Sequence, residues 1–134
     1  MIFVASGTQD GRGLVEYLLK QNYKVMASVV TNYGKELLPK DENLIINDHK
    51  LDEEAMKNCL KENQIKVFVD ATHPYAVNVS KTAMQACDEL NIPYIRYERE
   101  VTPIPAYNKL HLVKTYEEAS DLAMQLGENI FLTT

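Results

Sequence analysis

The chain has 134 residues, 46% of them hydrophobic and 25% charged, with a net charge of −5. This is the composition and size of one ordinary globular domain, long enough to bury a real core without a disulfide or metal staple. No run of about 18 apolar residues offers a membrane span, and the acidic balance argues against generic nucleic-acid binding.

The N-terminal run Met1-Ile-Phe-Val-Ala-Ser6 is apolar and ends in a glycine turn. It has no basic leader, so it reads as a buried strand and not as a signal peptide. Leu14, Val15, Leu18 and Leu19 then recur at helical spacing over 11–21. Residues 24–30 read as a second strand and 43–46 as a short third. Asp52 is suited to cap a helix over 53–62, with Glu53 and Glu54 in its first turn where the dipole favours anions. Residues 66–70, Lys-Val-Phe-Val-Asp, form the clearest strand, followed by a long helix over 75–90. Pro93-Tyr-Ile-Arg-Tyr97 is a fifth strand, with proline at its first position where the missing donor matters least. After a turn-rich stretch, 110–113 and the end of the chain from 129 read as two more strands. Thr115-Tyr-Glu-Glu118 is a capping box opening a helix over 116–125, stopped by Gly127.

Short connections between alternating strands and helices predict parallel strands joined by crossover helices. The fold class is therefore α/β, a three-layer α/β/α arrangement with a mostly parallel sheet. The strands are continuous apolar runs, as burial on both faces requires. Cys59 and Cys87 fall on apolar helical stripes and read as reduced core thiols of a cytoplasmic protein. His49, His73 and His111 have no metal-ligand spacing, so no metal is expected.

Ligands of an open parallel sheet bind beyond the carboxyl ends of its strands, which directs attention to four segments. The first, Ser6-Gly-Thr-Gln-Asp-Gly-Arg-Gly13, spaces its glycines as Gly-x-x-x-Gly-x-Gly. It is either a plain strand-to-helix turn, with Asp10 capping the helix, or a phosphate-handling loop at a helix N-terminus. The second, Thr31-Asn-Tyr-Gly34, carries no carboxylate where NAD-selective domains hold the ribose, and Lys35 follows it. It is an ordinary loop tip, with Gly34 supplying a positive φ, or a site favouring NADP. The third, Asp70-Ala-Thr-His-Pro-Tyr-Ala76, lets Thr72 cap the next helix with Pro74 in its first turn. Capping leaves His73 and Tyr75 without a structural reason, and an imidazole at a strand end is a reasonable acid, base or orienting group. In the fourth, Arg96-Tyr-Glu-Arg99, alternation puts Arg96 and Glu98 on one face and Tyr97 and Arg99 on the other. That pattern is a surface ion pair or a cationic cluster for a phosphate or carboxylate.

Taken together, Gly7-Thr-Gln-Asp-Gly-Arg12, Asp70-Ala-Thr-His-Pro-Tyr-Ala76 and Arg96-Tyr-Glu-Arg99 resemble the precorrin-6A and cobalt-precorrin-6A reductases of corrinoid biosynthesis. The match runs along essentially the whole chain. The first loop is similar to that family's Gly-Gly-Thr-x-Glu-Ala-Arg pattern, with Ser6, Asp10 and Gly11 standing for its Gly, Glu and Ala. The resemblance implies a Rossmann-like fold and an NADPH-dependent oxidoreductase that reduces one double bond (a CH–CH bond in the product) of a tetrapyrrole-derived polycarboxylate. It places Gly7, Thr8, Gln9, Gly11 and Arg12 in the dinucleotide loop and Thr31, Tyr33 and Gly34 in the second-strand loop. Thr72, Arg96 and Arg99 would bind cofactor, with the arginines also available to substrate carboxylates. His73 and Tyr75 are the catalytic candidates at the cleft.

Members of that family are close to twice this length and carry a second Rossmann-like domain. Residues 1–134 are therefore expected to be the N-terminal half, with a C-terminal half or a homodimer partner completing the cleft. The competing readings are a non-catalytic Rossmann-like nucleotide-binding or assembly module, and a short epimerase-like reductase. The latter relies on Tyr-x-x-x-Lys, and no tyrosine here has lysine four residues on.

Overall fold

The structure, a computed structural model, describes residues 1–98 and 103–133. The chain divides into two compact units, Met1–Glu100 and Val101–Thr134.

The first unit alternates strand and helix throughout: β1 (Ile2–Ser6), α1 (Gln9–Lys20), β2 (Val25–Ser28), α2 (Asn32–Glu36), β3 (Leu44–Asn47), α3 (Glu53–Glu62), β4 (Val67–Ala71), α4 (Val77–Glu89) and β5 (Tyr94–Arg96). All strand pairs are parallel, in the order β3-β2-β1-β4-β5. Pro93 gives the ladder only its carbonyl, which accepts from Phe68 N–H at 2.9 Å.

Strand alternation sorts the core onto two faces. Phe3, Ala5, Met26 and Phe68 pack against Met56 and Leu60 of α3 and Ala83, Ala86 and Cys87 of α4. Val4, Val25, Ala27, Val69 and Ala71 face Val15 and Leu19 of α1, with Val29 and Leu38 beside α2. The sheet is thus covered on both sides, the three-layer arrangement that the apolar runs require. Phe68 stacks between Phe3 and Tyr94, with ring centroids 4.8 and 5.7 Å away. Both thiols are unbridged; Cys87 is buried, and burial pushes it up to about 11.

Helices α1, α3 and α4 are followed by Asn22, Gln64 and Asn91 in the left-handed region, at φ of 60, 50 and 54°. No described glycine takes a positive φ. The expectation that Gly34 would do so fails; it sits inside α2, where a Cβ would lie 3.0 Å from Thr31 Oγ1.

Among its described residues the second unit contains one regular element, α5 (Tyr116–Leu126). The Thr115 half of its capping box forms as expected, Thr115 Oγ1 accepting from Glu118 N–H at 3.1 Å; Glu118 Oε2 reaches one residue further back than the box requires and accepts from Lys114 N–H at 2.8 Å. Gly127 is its C-cap. The strands expected at 110–113 and from 129 do not form among the described residues. A strand needs a hydrogen-bonded neighbour, and the described residues of this unit include none. No helix among the described residues is long and apolar enough to cross a membrane.

Candidate functional site

The strand order reverses direction at β1 and β4: β2 and β3 continue on one side, β5 on the other. Loops leaving adjacent strands toward opposite faces open a crevice at such a switch point. Here the loops after β1 and β4 are tied by Thr8, whose hydroxyl donates to the Ala71 carbonyl at 3.1 Å and accepts from Gly11 N–H at 3.0 Å. Thr8, and not Asp10, is therefore the N-cap of α1. Threonine satisfies one free donor of the first turn and pins the loop at once. Asp10 lies within that first turn, in a broad cavity of about 670 Å³ that Gln9, Arg12, Tyr17 and Tyr97 also line.

Gly11 permits the close fit of α1 on the sheet. A Cβ there would lie 2.8 Å from Ser6 Oγ and 3.2 Å from both the Ala71 carbonyl oxygen and Ser6 Cα. Ser6 thus fills space that a side chain at 11 would need, an exchange of volume between facing positions. Gly11→Ala is expected to destabilise the chain by about 1–2 kcal/mol, because overpacking of roughly 1–3 kcal/mol outweighs about 1 kcal/mol of helix propensity. Ser6→Gly should suppress that loss. Urea unfolding of both single variants and the pair should return a coupling of about 1 kcal/mol or more; additive effects would refute the contact.

The loops after β1 and β2 meet at a small cavity of about 70 Å³, lined by Ser6, Gly7, Arg12, Val29, Val30, Thr31 and Gly34. Gly7, Arg12, Thr31 and Gly34 are all residues named from the sequence. Two features of the cavity would suit an anion. Ser6 Oγ, on a residue 2% exposed, has no hydrogen-bond partner among the described residues; an orphaned buried hydroxyl costs roughly 1–3 kcal/mol and calls for an explanation. Among the described residues no carboxylate pairs with the Arg12 guanidinium. Thr31 caps α2 by accepting from Gly34 N–H at 3.0 Å, while Tyr33 is exposed on that helix. Lys35 is held by Asp48, Nζ to Oδ2 2.6 Å. Gly7, with no atom within 4 Å of its Cβ position, lets a ligand approach the backbone.

A second cavity, of about 340 Å³, shares Val30 with the first. Phe3, Ala5 and Met56 contribute its apolar lining, His49, Lys50 and Leu51 enter from the β3 side, and Asn78, Val79 and Thr82 from α4. Sequence reading missed these residues. The signal for finding them was positional: His49-Lys-Leu51 follow β3 as the other candidate loops follow their strands.

At the end of β4, Asp70 is fully buried. Its carboxylate accepts from Thr72 N–H (3.0 Å), Thr72 Oγ1 (2.7 Å), Ser80 Oγ (2.6 Å) and Tyr94 OH (2.6 Å), and pairs with Arg96 Nη1 at 2.7 Å. Burial pushes this carboxyl up; the hydrogen bonds from Ser80, Tyr94 and Thr72 outweigh it and hold the group below the ordinary carboxylate range. Tyr94 is pushed up to about 12 by burial and by its bond to Asp70. The rest of the Arg96 fork engages Thr72 Oγ1 (3.1 Å), the Thr72 carbonyl (3.1 Å) and Glu98 (2.9 Å). Arg96 and Thr72, both expected to bind cofactor, are thus tied into a protein network. Nor does Thr72 cap α4: the N-cap is Ala76, with no side-chain bond. Four residues separate Thr72 from the first residue of α4, and its hydroxyl is committed to Asp70.

The network fixes the elbow from which His73 and Tyr75 project. Both are exposed, Tyr75 at 89%, with ring centroids 4.9 Å apart. His73 Nδ1 accepts from Tyr75 N–H at 3.3 Å, so the neutral ring carries its proton on Nε2. Arg99 lies outside the described residues.

A glycine-bearing strand-to-helix turn at the switch point of a five-stranded parallel sheet, with helices on both faces, defines a Rossmann-like domain. Among solved structures the chain resembles CobK precorrin-6A reductase (TM-score 0.64, 23% identity, covering 80% of this chain and 41% of that one). It also resembles the Bordetella bronchiseptica enzyme WbmG, solved with NAD and UDP (TM-score 0.60, 15% identity, 71% and 36% covered). The sequence profile described as Precorrin-6x reductase CbiJ/CobK matches residues 1–134, and the chain belongs to this family. The cobalt-precorrin-6A reductases of Priestia megaterium and Methanococcus maripaludis are 39% and 35% identical to it, over 100% and 97% of this chain. The chain spans 52% of the length of each.

Proposed function

We propose that this chain is the cofactor-holding, N-terminal half of an NADPH-dependent reductase acting on a precorrin-6A-type macrocycle in corrinoid biosynthesis. The observation that carries the reading is the small cavity between the first two loops, where a guanidinium and backbone-exposing glycines meet; among the described residues that guanidinium makes no ion pair and no carboxylate lines the wall. NADP differs from NAD by a 2′-phosphate, and an arginine near the end of β2 is the usual means of accepting it. The adjoining 340 Å³ cavity is of a size and character to take adenine, with Val30 common to both. The N-terminus of α1 and the open face of Gly7 then suit the diphosphate.

The bound cofactor would supply a hydride. The residues of this chain bind, orient and protonate. Gly7, Thr8, Gln9, Gly11 and Arg12 form the first loop, and Thr31, Tyr33 and Gly34 the second. His73 is the candidate acid and, as the imidazolium, would give a proton to the reduced bond and leave as neutral imidazole; Tyr75 flanks it. Arg96 and Thr72 hold that elbow, and Arg99 remains a candidate for the carboxylates of the tetrapyrrole-derived substrate. A C-terminal half like that of the relatives, or a second copy, would supply the opposite wall of the cleft. The unbridged thiols agree with a cytoplasmic setting.

Titration with NADPH and NADH, followed by nicotinamide fluorescence, tests the cofactor reading. NADPH should bind detectably and more tightly than NADH. Equal affinities would remove the preference, and silence toward both would remove direct binding. The substrate assignment is tested separately by complementation of a corrinoid-deficient strain with the full-length gene; failure despite confirmed soluble expression would count against it.

A further inference from the structure

We propose that the Ser6 hydroxyl is a direct ligand of the adenosine 2′-phosphate and, with Arg12, sets the choice of NADPH over NADH. The proposal rests on the cofactor reading above and names a residue that reading does not use.

Three observations carry it. Ser6 Oγ is buried and has no hydrogen-bond partner among the described residues. A hydroxyl can donate once and accept twice, so leaving all of these unmet at a strand end is unusual. Ser6 also lines the cavity that contains Arg12 and Thr31. The Thr31 oxygen accepts from Gly34 N–H, which leaves its own proton to donate into the same region. Among the described residues the cavity therefore gathers a cation and two hydroxyl donors with no acidic side chain, a set suited to a compact dianion.

The cavity's place selects which phosphate. It lies between the loops after β1 and β2 and not between those after β1 and β4. The end of β2 is where the adenosine ribose and its 2′ substituent are read in this topology. A diphosphate belongs at the α1 N-terminus by the switch point. Ser6 should therefore respond to the 2′-phosphate alone. The structural alternative is a hydroxyl satisfied by an ordered water, which would be indifferent to the cofactor.

The test compares the parent chain with Ser6→Ala and Ser6→Gly, measuring dissociation constants for NADPH, NADH and 2′,5′-ADP, and the thermal midpoint of each ligand-free protein. Both variants should weaken NADPH and 2′,5′-ADP roughly tenfold, as for loss of a hydrogen bond to a charged group, and leave NADH within about twofold. Ligand-free Ser6→Ala should melt no lower than the parent, because its hydroxyl has no protein partner to lose. If the parent prefers NADPH and the variants bind it equally well, or if NADPH and NADH weaken together, Ser6 is not the selectivity ligand, while the cofactor reading stands. If the parent binds neither NADPH nor 2′,5′-ADP, the cofactor reading falls and the Ser6 proposal with it.

Discussion

Asp70→Ala is expected to lower the unfolding free energy by about 3–5 kcal/mol, the range for removing one partner of a buried ion pair. The cause is the set of groups left behind. Arg96 loses a counter-ion at 2.7 Å, and Ser80, Tyr94 and Thr72 lose their shared acceptor. Asp70→Asn keeps the volume and one acceptor oxygen, so it should fall between the parent and the alanine variant. Urea unfolding measures all three, and a loss below about 1 kcal/mol for alanine would show the network to be dispensable. The same group predicts a pH dependence. Its folded pKa lies below its ordinary value, so its stabilisation is complete above the unfolded carboxylate pKa. That stabilisation is lost as pH falls through the lower, folded value. The acid limb of the stability profile should therefore flatten in Asp70→Asn.

Arg12→Gln should weaken NADPH binding by about 10- to 100-fold, the factor for a hydrogen bond to a charged group. NADH should change little if the guanidinium reads the 2′-phosphate. Arg12→Lys should recover part of the loss, since a point charge replaces the charge but not the planar fork. Arg12 extends from α1 and makes no ion pair among the described residues, so neither variant should disturb the fold. A parallel fall in NADPH and NADH affinity would move Arg12 from the 2′-phosphate to the diphosphate.

The strands and helices of the first unit were legible because local signals agreed with the global fold. Val67–Ala71 reads as a strand from its β-branched and aromatic content, and Asp52 and Thr115 are caps by side-chain chemistry alone. The expectations that failed lacked a neighbour that sequence does not display. Residues 110–113 and those from 129 have strand-like composition, yet pairing, and not composition, makes a strand. Thr72 has the chemistry of a cap, but Asp70 and Arg96 compete for its hydroxyl and win, because a buried carboxylate must be satisfied. In the site, chain order identified the loops, and topology explains why: β1, β2, β4 and β5 all end on the same edge of a parallel sheet.

By itself the sequence determined the α/β class, the positions of the loops and the family pattern, since these depend on periodicity, turn residues and spacing along the chain. Besides Arg99, which lies outside the described residues, it offered Arg12, Lys35 and Arg96 as cations for a phosphate or carboxylate. Only the tertiary structure separated them. Parallel register sets Arg96 opposite Asp70, the neighbouring ends of β2 and β3 bring Lys35 to Asp48, and Arg12 is left facing a cavity with Ser6. Whether a charge is neutralised depends on what lies within a few ångströms in space, and that distance does not exist until the chain is folded.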